Sequence, residues 1–227
     1  MKNWLIFKIS GDVYSYFQCF RFCERLPSLK NIVAETIREH LNDRKLGITT
    51  GMDQYFFRNI ESWKKARYSY QPTRYSLLKG IKASIRFTPE DILVDIGSGK
   101  GRVVCFFASQ KIRKIIGLER NSSLLNIAEN NLKKLKLNNT EIEFHNVDAT
   151  SFVFTNETIF FIFHPFGNEI MGKVINNIKS SLSVNPRKIS IICHGYRFTD
   201  LLNLNMLDWL VLTSSIENRH IYIWNNK

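Results

Sequence analysis

The chain has 227 residues, enough for one large α/β domain with an appendage and too few for two full domains. Its 44% hydrophobic and 13% aromatic content, without low-complexity tract or internal repeat, excludes disordered, fibrous and repeat architectures. Net charge is +12 and uneven: residues 1–90 carry 16 Lys/Arg against 8 Asp/Glu, and residues 91–227 carry 16 against 12. A basic amino-terminal third suits nucleic acid, an anionic membrane surface, an acidic protein, or simply a solvated face. No tight run of basic residues interleaved with aromatics occurs, so nucleic acid is supported by total charge alone. The four cysteines, Cys19, Cys23, Cys105 and Cys193, fit no zinc or redox spacing; free buried thiols suit a reducing cytoplasm, and no metal site is expected. The opening MKNWLIFKIS is too short and too interrupted by lysines for a signal peptide, and no apolar stretch approaches the ~20 residues that span a bilayer. A soluble, cytoplasmic protein is expected.

Residues 1–69 are expected to form a helical cap. Val13, Tyr14, Phe17, Phe20 and Cys23 keep a helical spacing; Ser28 is placed to cap a second helix with Ile32, Val33, Thr36, Ile37 and Leu41 on one face. Arg21 and Arg25 beside the first helix's aromatics leave peripheral membrane contact open alongside ordinary packing. Gly47-Ile48-Thr49-Thr50-Gly51 is a loop. The segment Tyr70-Gln71-Pro72-Thr73-Arg74-Tyr75 leads into a helix ending near Ile85.

The apolar run Ile92-Leu93-Val94-Asp95-Ile96 predicts a strand buried on both faces. Gly97-Ser98-Gly99-Lys100-Gly101 stops it, and an apolar helical pattern starting near Lys100 follows. Strand, glycine turn and helix make the first half of a nucleotide-binding βαβ unit, with Asp95 pointing into the crevice above the turn. The spacing D-x-G-x-G-x-G matches neither the dinucleotide G-x-G-x-x-G nor the triphosphate loop. A second strand, Lys114 to Glu119, ends in a carboxylate whose two oxygens match the two hydroxyls of a ribose, 18 residues past Gly101. Asn121 to Leu135 is an amphipathic helix. A third strand, Glu141 to Val147, leads into Asp148-Ala149-Thr150. The fourth, Ile159 to Phe163, is apolar throughout, hence central, and runs into His164-Pro165-Phe166-Gly167 on the ligand side of the sheet. A helix (Asn168 to Leu182), a fifth strand (Arg187 to Cys193) and a terminal hairpin (Trp209 to Ser214, His220 to Trp224) complete the chain.

Asp95-x-Gly97-x-Gly99-x-Gly101 resembles the first motif of class I S-adenosylmethionine-dependent methyltransferases. Over roughly Tyr70 to Lys227 the chain is similar to a group of small bacterial members with unassigned substrate, which carry Tyr-x-Pro-Thr-x-Tyr before the glycine turn and Asn-Pro-Phe after the fourth strand. The resemblance implies a doubly wound, Rossmann-like α/β sheet of seven strands with a carboxyl-terminal antiparallel hairpin, covering residues 70–227, with residues 1–69 as the cap. It implies S-adenosyl-L-methionine as cofactor, held by Asp95, Gly97, Ser98, Gly99 and Gly101, with Glu119 and Arg120 on the ribose side. Asp148 and Ala149 would meet the adenine, although Asp148 also fits as the cap of a turn. Thr73 and Tyr75 would supply hydroxyls to the methionine carboxylate, or else open an ordinary helix.

His164, Pro165 and Phe166 stand where amine methyltransferases hold and cover the attacking nitrogen. Histidine departs from the group's asparagine: it can accept a hydrogen bond or act as a base when neutral, or serve structure alone. The implied activity is N-methylation of a protein side chain, lysine-like. A small molecule or cell-surface glycan unit remains an alternative acceptor, and a non-catalytic cofactor-binding module an alternative class.

Overall fold

The structure, a computed structural model, describes residues 27–51, 70–137, 139–163, 168–194, 208–216 and 221–227. The expected helix through Val13–Cys23, the His164–Gly167 segment, Gly195-Tyr196 and the turn of the terminal hairpin lie outside the described residues. The chain divides into two compact units, Met1–Pro72 and Thr73–Lys227.

In the first unit, helix α1 (Pro27–Leu46) begins at the proline, which has no N–H for a first helical turn to leave unpaired. It ends on Gly47, whose φ of 72° is the left-handed conformation. The Gly47 N–H donates to the Arg44 carbonyl and the Ile48 N–H to that of Asp43, so two carbonyls at the helix end are satisfied. The buried Asp43 carboxylate then takes both the N–H and the hydroxyl of Thr50, at 2.6 and 2.7 Å, and the Tyr70 hydroxyl donates to the Thr50 carbonyl at 2.8 Å. The Gly/Thr loop is therefore held from both sides.

The second unit is a seven-stranded sheet. Helix α2 (Tyr75–Ser84) precedes β1 (Ile92–Ile96), followed by α3 (Arg102–Phe107), β2 (Lys114–Glu119), α4 (Ser122–Leu132) and β3 (Glu141–Asn146). Then come β4 (Ile159–Phe163), α5 (Asn168–Val184), β5 (Ser190–His194), β6 (Leu210–Ile216) and β7 (Ile221–Asn226). The strand order is β3-β2-β1-β4-β5-β7-β6, with β7 antiparallel to both of its neighbours. The five parallel strands leave β1 and β4 at the centre, where the order reverses; ligands of open α/β sheets bind outside the carboxyl ends at that point.

Burial explains the apolar runs. All five β1 residues are buried, as are the first four of β4. Ile92, Val94, Ile96, Phe160 and Ile162 belong to a core cluster with Val174, Ile175 and Ile178 of α5. The β1 neighbours of Asp95 in register are Gly117 on β2 and Phe161 on β4. Several boundaries differ from the sequence expectation. Ser28 lies inside α1 and does not cap it, the hairpin strands extend to Ile216 and Asn226, and α4 stops at Leu132. Two further shifts have a plain cause. The helix after the glycine turn starts at Arg102 and not near Lys100, because Gly101 still has a left-handed φ of 78°. The fifth strand starts at Ser190 and not at Arg187, because its partner β4 begins only at Ile159, opposite Ser190. Arg187 is used otherwise: its guanidinium donates to the carbonyls of Glu157, Ser181 and Asn185.

Candidate functional site

The glycine turn joins the carboxyl end of β1 to α3. The N–H groups of Gly97 and Ser98 both donate to the Leu118 carbonyl, at 2.9 and 2.8 Å, which anchors the turn on β2. Gly97, Gly99 and Gly101 have φ of 84°, 54° and 78°, a region that L side chains avoid. Gly101 has a second constraint. A Cβ there would stand 3.0 Å from both the Ala128 Cβ and the Phe144 ring, so the third glycine serves the packing of α4 and β3 under the turn. The buried Asn131 side chain on α4 donates to the Lys100 carbonyl at 3.0 Å and closes the turn from below.

Asp95 is 2% exposed, and its Oδ2 has no hydrogen-bond partner; the same holds for the buried Ser98 Oγ. Burial, with the nearby Glu119 charge as the lesser cause, holds the Asp95 carboxyl well above the usual carboxylate range. Buried polar atoms in folded proteins are almost always paired. Two orphans at the carboxyl end of the central strand therefore mark a place for a ligand with hydrogen-bonding groups and, beside two carboxylates, positive charge. S-adenosylmethionine, with its ammonium and sulfonium, meets that description; the residues present fit the group.

Glu119 closes β2. Its Oε2 accepts the Gly99 N–H at 2.9 Å and its Oε1 the Asn121 N–H at 2.8 Å. Each carboxylate oxygen retains a lone pair, so the clamp on the turn and a bond to a ribose hydroxyl are compatible. The corner beyond Glu119 is rigid: Asn121 caps α4 by accepting from the N–H groups of Ser123 and Leu124, and Asn146 donates to the carbonyls of Glu119 and Arg120. The Arg120 side chain is 80% exposed, with its Nη1 3.9 Å from Asp148 Oδ2.

Asp148 does cap a turn. Its Oδ1 accepts the N–H and hydroxyl of Thr150, at 2.9 and 2.7 Å, while the Ser151 N–H donates to its carbonyl. Those bonds to Thr150, the hydroxyl's first, draw its carboxyl below the usual range, and Arg120 adds a smaller effect. Ala149 is buried beside it.

Thr73 and Tyr75 are buried at the start of α2. Both meet Arg102: its Nη1 donates to the Thr73 carbonyl at 3.1 Å, and its Cζ lies 4.7 Å from the centroid of the Tyr75 ring. The structure thus brings Asp95, Gly97, Ser98, Gly99, Gly101 and Glu119 together, sets Asp148 and Ala149 at the end of the adjoining strand, and ties Thr73 and Tyr75 to α3. His164, Pro165 and Phe166 lie outside the described residues; the described strand ends at Phe163, whose ring is 4.6 Å from that of His194 at the end of β5.

Three participants were missed by sequence reasoning. Arg102 was legible only as the last residue of the glycine motif, since a basic residue at the start of an apolar helix is ordinary, and nothing pointed to Thr73 and Tyr75 as its partners. Asn131 is one of many asparagines. Phe144 had an indirect one: Gly117 interrupts a strand, and a strand glycine marks a close approach. A Cβ on Gly117 would lie 2.5 Å from the Phe144 ring and 3.0 Å from Ser98 Oγ. Among the described residues no group of three or more His, Cys, Asp or Glu is arranged to hold a metal ion.

The strand order and the glycine turn define an open, doubly wound domain with its ligand crevice over β1 and β4. Residues 93–184 match the family model described as a methyltransferase domain. A Methanobrevibacter smithii protein named "Probable cobalt-precorrin-6B C(15)-methyltransferase (decarboxylating)" is 32% identical over 66 residues, which are 29% of this chain and 35% of that protein. The chain thus spans about a third of that curated relative's length. Among solved structures, a precorrin-6y C5,15-methyltransferase from Geobacter metallireducens has a TM-score of 0.52 at 17% identity, covering 70% of this chain and 91% of its own. The precorrin 8W decarboxylase of Methanobacterium thermoautotrophicum gives 0.51 at 17% identity, covering 70% and 92%. A dimethyladenosine transferase from Plasmodium falciparum gives 0.52 at 14% identity, covering 69% and 62%. These likenesses are in fold. Together with the match over residues 93–184, they show a Rossmann-like sheet of the kind methyltransferases use, with a methyltransferase-like segment from β1 to α5.

Proposed function

We propose that the chain is a methyltransferase that uses S-adenosylmethionine to methylate a nitrogen on a protein side chain, a lysine-like amine. The observation that carries the cofactor assignment is the buried, unpartnered pair Asp95 Oδ2 and Ser98 Oγ at the end of β1, next to Glu119. The acceptor assignment is supported by the Asp95-x-Gly-Ser-Gly-x-Gly-Arg102 form of the first motif, which resembles that of some protein lysine methyltransferases. Residues 70–227 are assigned as the catalytic domain and residues 1–69 as a separate helical region, and the buried free thiols Cys105 and Cys193 suit a cytoplasmic setting.

When bound, the cofactor supplies a methyl group already activated on a positively charged sulfur. Glu119 and Arg120 would hold its ribose side, and Asp148 and Ala149 its adenine. Asp95 and Ser98, with Gly97, Gly99 and Gly101, would hold the sulfur and amino-acid end, with Thr73 and Tyr75 toward its carboxylate. His164, Pro165 and Phe166 form the acceptor side: the histidine accepts from or deprotonates the attacking amine, and the phenylalanine walls it in. Alignment and exclusion of water can contribute roughly 7–11 kcal/mol to such a transfer, so no further acid–base pair is needed.

A small-molecule acceptor is the second reading, favoured by the precorrin names of the relatives that share the fold. Methyl transfer from labelled cofactor into whole lysate, separated into protein, small-molecule, glycan and nucleic-acid fractions, decides between them. Label in protein is expected. Label in the small-molecule or glycan fraction establishes the second acceptor class, label in nucleic acid refutes both, and binding without transfer leaves a cofactor-binding module. Among the described residues no helix is long and apolar enough to cross a membrane.

A further inference from the structure

We infer that Arg102 is a positioning residue for the amino-acid end of the cofactor, acting through Thr73 and Tyr75; the inference rests on the reading of this site as one for S-adenosylmethionine. Arg102 is 2% exposed although it opens a surface-length helix of only six residues. Burying a guanidinium is unfavourable unless its donors and its charge are engaged. Here an edge of the group donates to the Thr73 carbonyl at 3.1 Å, and the group lies over the Tyr75 ring at 4.7 Å. Tyr75 also meets Phe106, one turn along α3, with ring centroids 6.0 Å apart.

One planar cation therefore joins the start of α2 to the start of α3, and α3 is the direct continuation of the glycine turn. Only arginine does both jobs at once: its flat face stacks on an aromatic ring while its edge donates in the same plane. A lysine at this position keeps the charge but has no plane, so it can serve the carbonyl or the ring poorly and not both. The tie acts on Thr73 and Tyr75, which are assigned to the amino-acid end. Glu119, which closes β2, and Asp148, two residues past β3, are assigned to the adenosine and are held by their own networks with Gly99, Asn121 and Thr150. Loosening Arg102 should thus affect one end of the ligand and spare the other.

Isothermal titration of the full chain with two probes tests this. S-adenosylhomocysteine carries the amino-acid end; 5′-methylthioadenosine has the adenosine and sulfur without it. Arg102→Lys should bind S-adenosylhomocysteine about tenfold or more weakly, while 5′-methylthioadenosine stays within about threefold, since charge-supported polar contacts are lost at one end only. Tyr75→Leu, which removes the stacking partner and leaves the arginine, should give the same selective pattern. Equal losses on both probes, no loss on either, or failure of both variants to fold overturns the inference, because Arg102 would then support the fold or nothing specific. Thr73→Ala made in both backgrounds checks the route: its effect on S-adenosylhomocysteine should shrink in Arg102→Lys. Fully additive losses mean that Arg102 meets the ligand itself, which also overturns the positioning role. A wild-type chain that binds neither probe refutes the cofactor reading instead.

Discussion

Glu119→Gln separates the two duties of the residue that ends β2. In the wild type, Oε2 accepts the Gly99 N–H at 2.9 Å and Oε1 accepts the Asn121 N–H at 2.8 Å. Glutamine has the same shape but only one acceptor, so whichever way it turns, its NH2 faces a backbone N–H. A bond to a charged acceptor contributes ~1.5–3 kcal/mol, and partial exposure lets water recover some of it, leaving a loss of about 1–2 kcal/mol. For a domain of this size each kcal/mol moves Tm by about 2–4 °C, so the cofactor-free Tm should fall by about 2–8 °C. If the remaining lone pairs also take the ribose hydroxyls, S-adenosylhomocysteine binding weakens by a further ~1.5–3 kcal/mol, roughly 12- to 160-fold. Calorimetry without ligand and titration with it read the two effects separately. A lowered Tm with unchanged affinity would place the ribose elsewhere and leave Glu119 as a clamp on the glycine turn. No change in either would refute both roles.

The Asp95 carboxyl, raised by burial and then by Glu119, should link cofactor binding to pH. A raised folded-state pKa means its contribution to stability is full below the ordinary carboxylate value and is lost as pH rises through the folded value. Ionised Asp95 therefore costs stability in the cofactor-free protein and attracts a cationic ligand, so S-adenosylmethionine should bind more tightly as pH rises through that value. Asp95→Asn should flatten the trend in titrations carried upward from the ordinary carboxylate range; an identical slope in the variant would exclude Asp95 as its source. Gly117→Ala should lower stability by about 1–3 kcal/mol through overpacking against Phe144, and Phe144→Leu should recover part of it in thermal melts. An unaltered Tm would mean that the ring moves freely. His164→Ala should leave cofactor affinity within about threefold and slow transfer to the true acceptor by at least ~10²-fold, the lower range for a lost general base. Wild-type rates in that variant would assign the histidine to structure.

The sheet was legible in the sequence because its central strands are buried on both faces and so consist of uninterrupted apolar residues: Ile92–Ile96 and Ile159–Phe163 were placed at their observed bounds. The glycine turn was legible because three positive φ angles in five residues demand glycine. The terminal hairpin was legible as two β-rich runs, and it closes a sheet of the expected seven strands with β7 antiparallel. Tertiary structure alone decided what the site residues do to one another. Whether Asp148 capped a turn was an open alternative until Thr150 was seen on its Oδ1, and the clamp of Glu119 on Gly99 had no local signature at all. The pairs that matter most, Arg102 with Thr73 and Phe144 with Gly117, are separated by almost 30 residues. Periodicity and turn chemistry report only on neighbours along the chain or on one helix face. Contacts across strands depend on register, which is set by how all seven strands bury their apolar faces together.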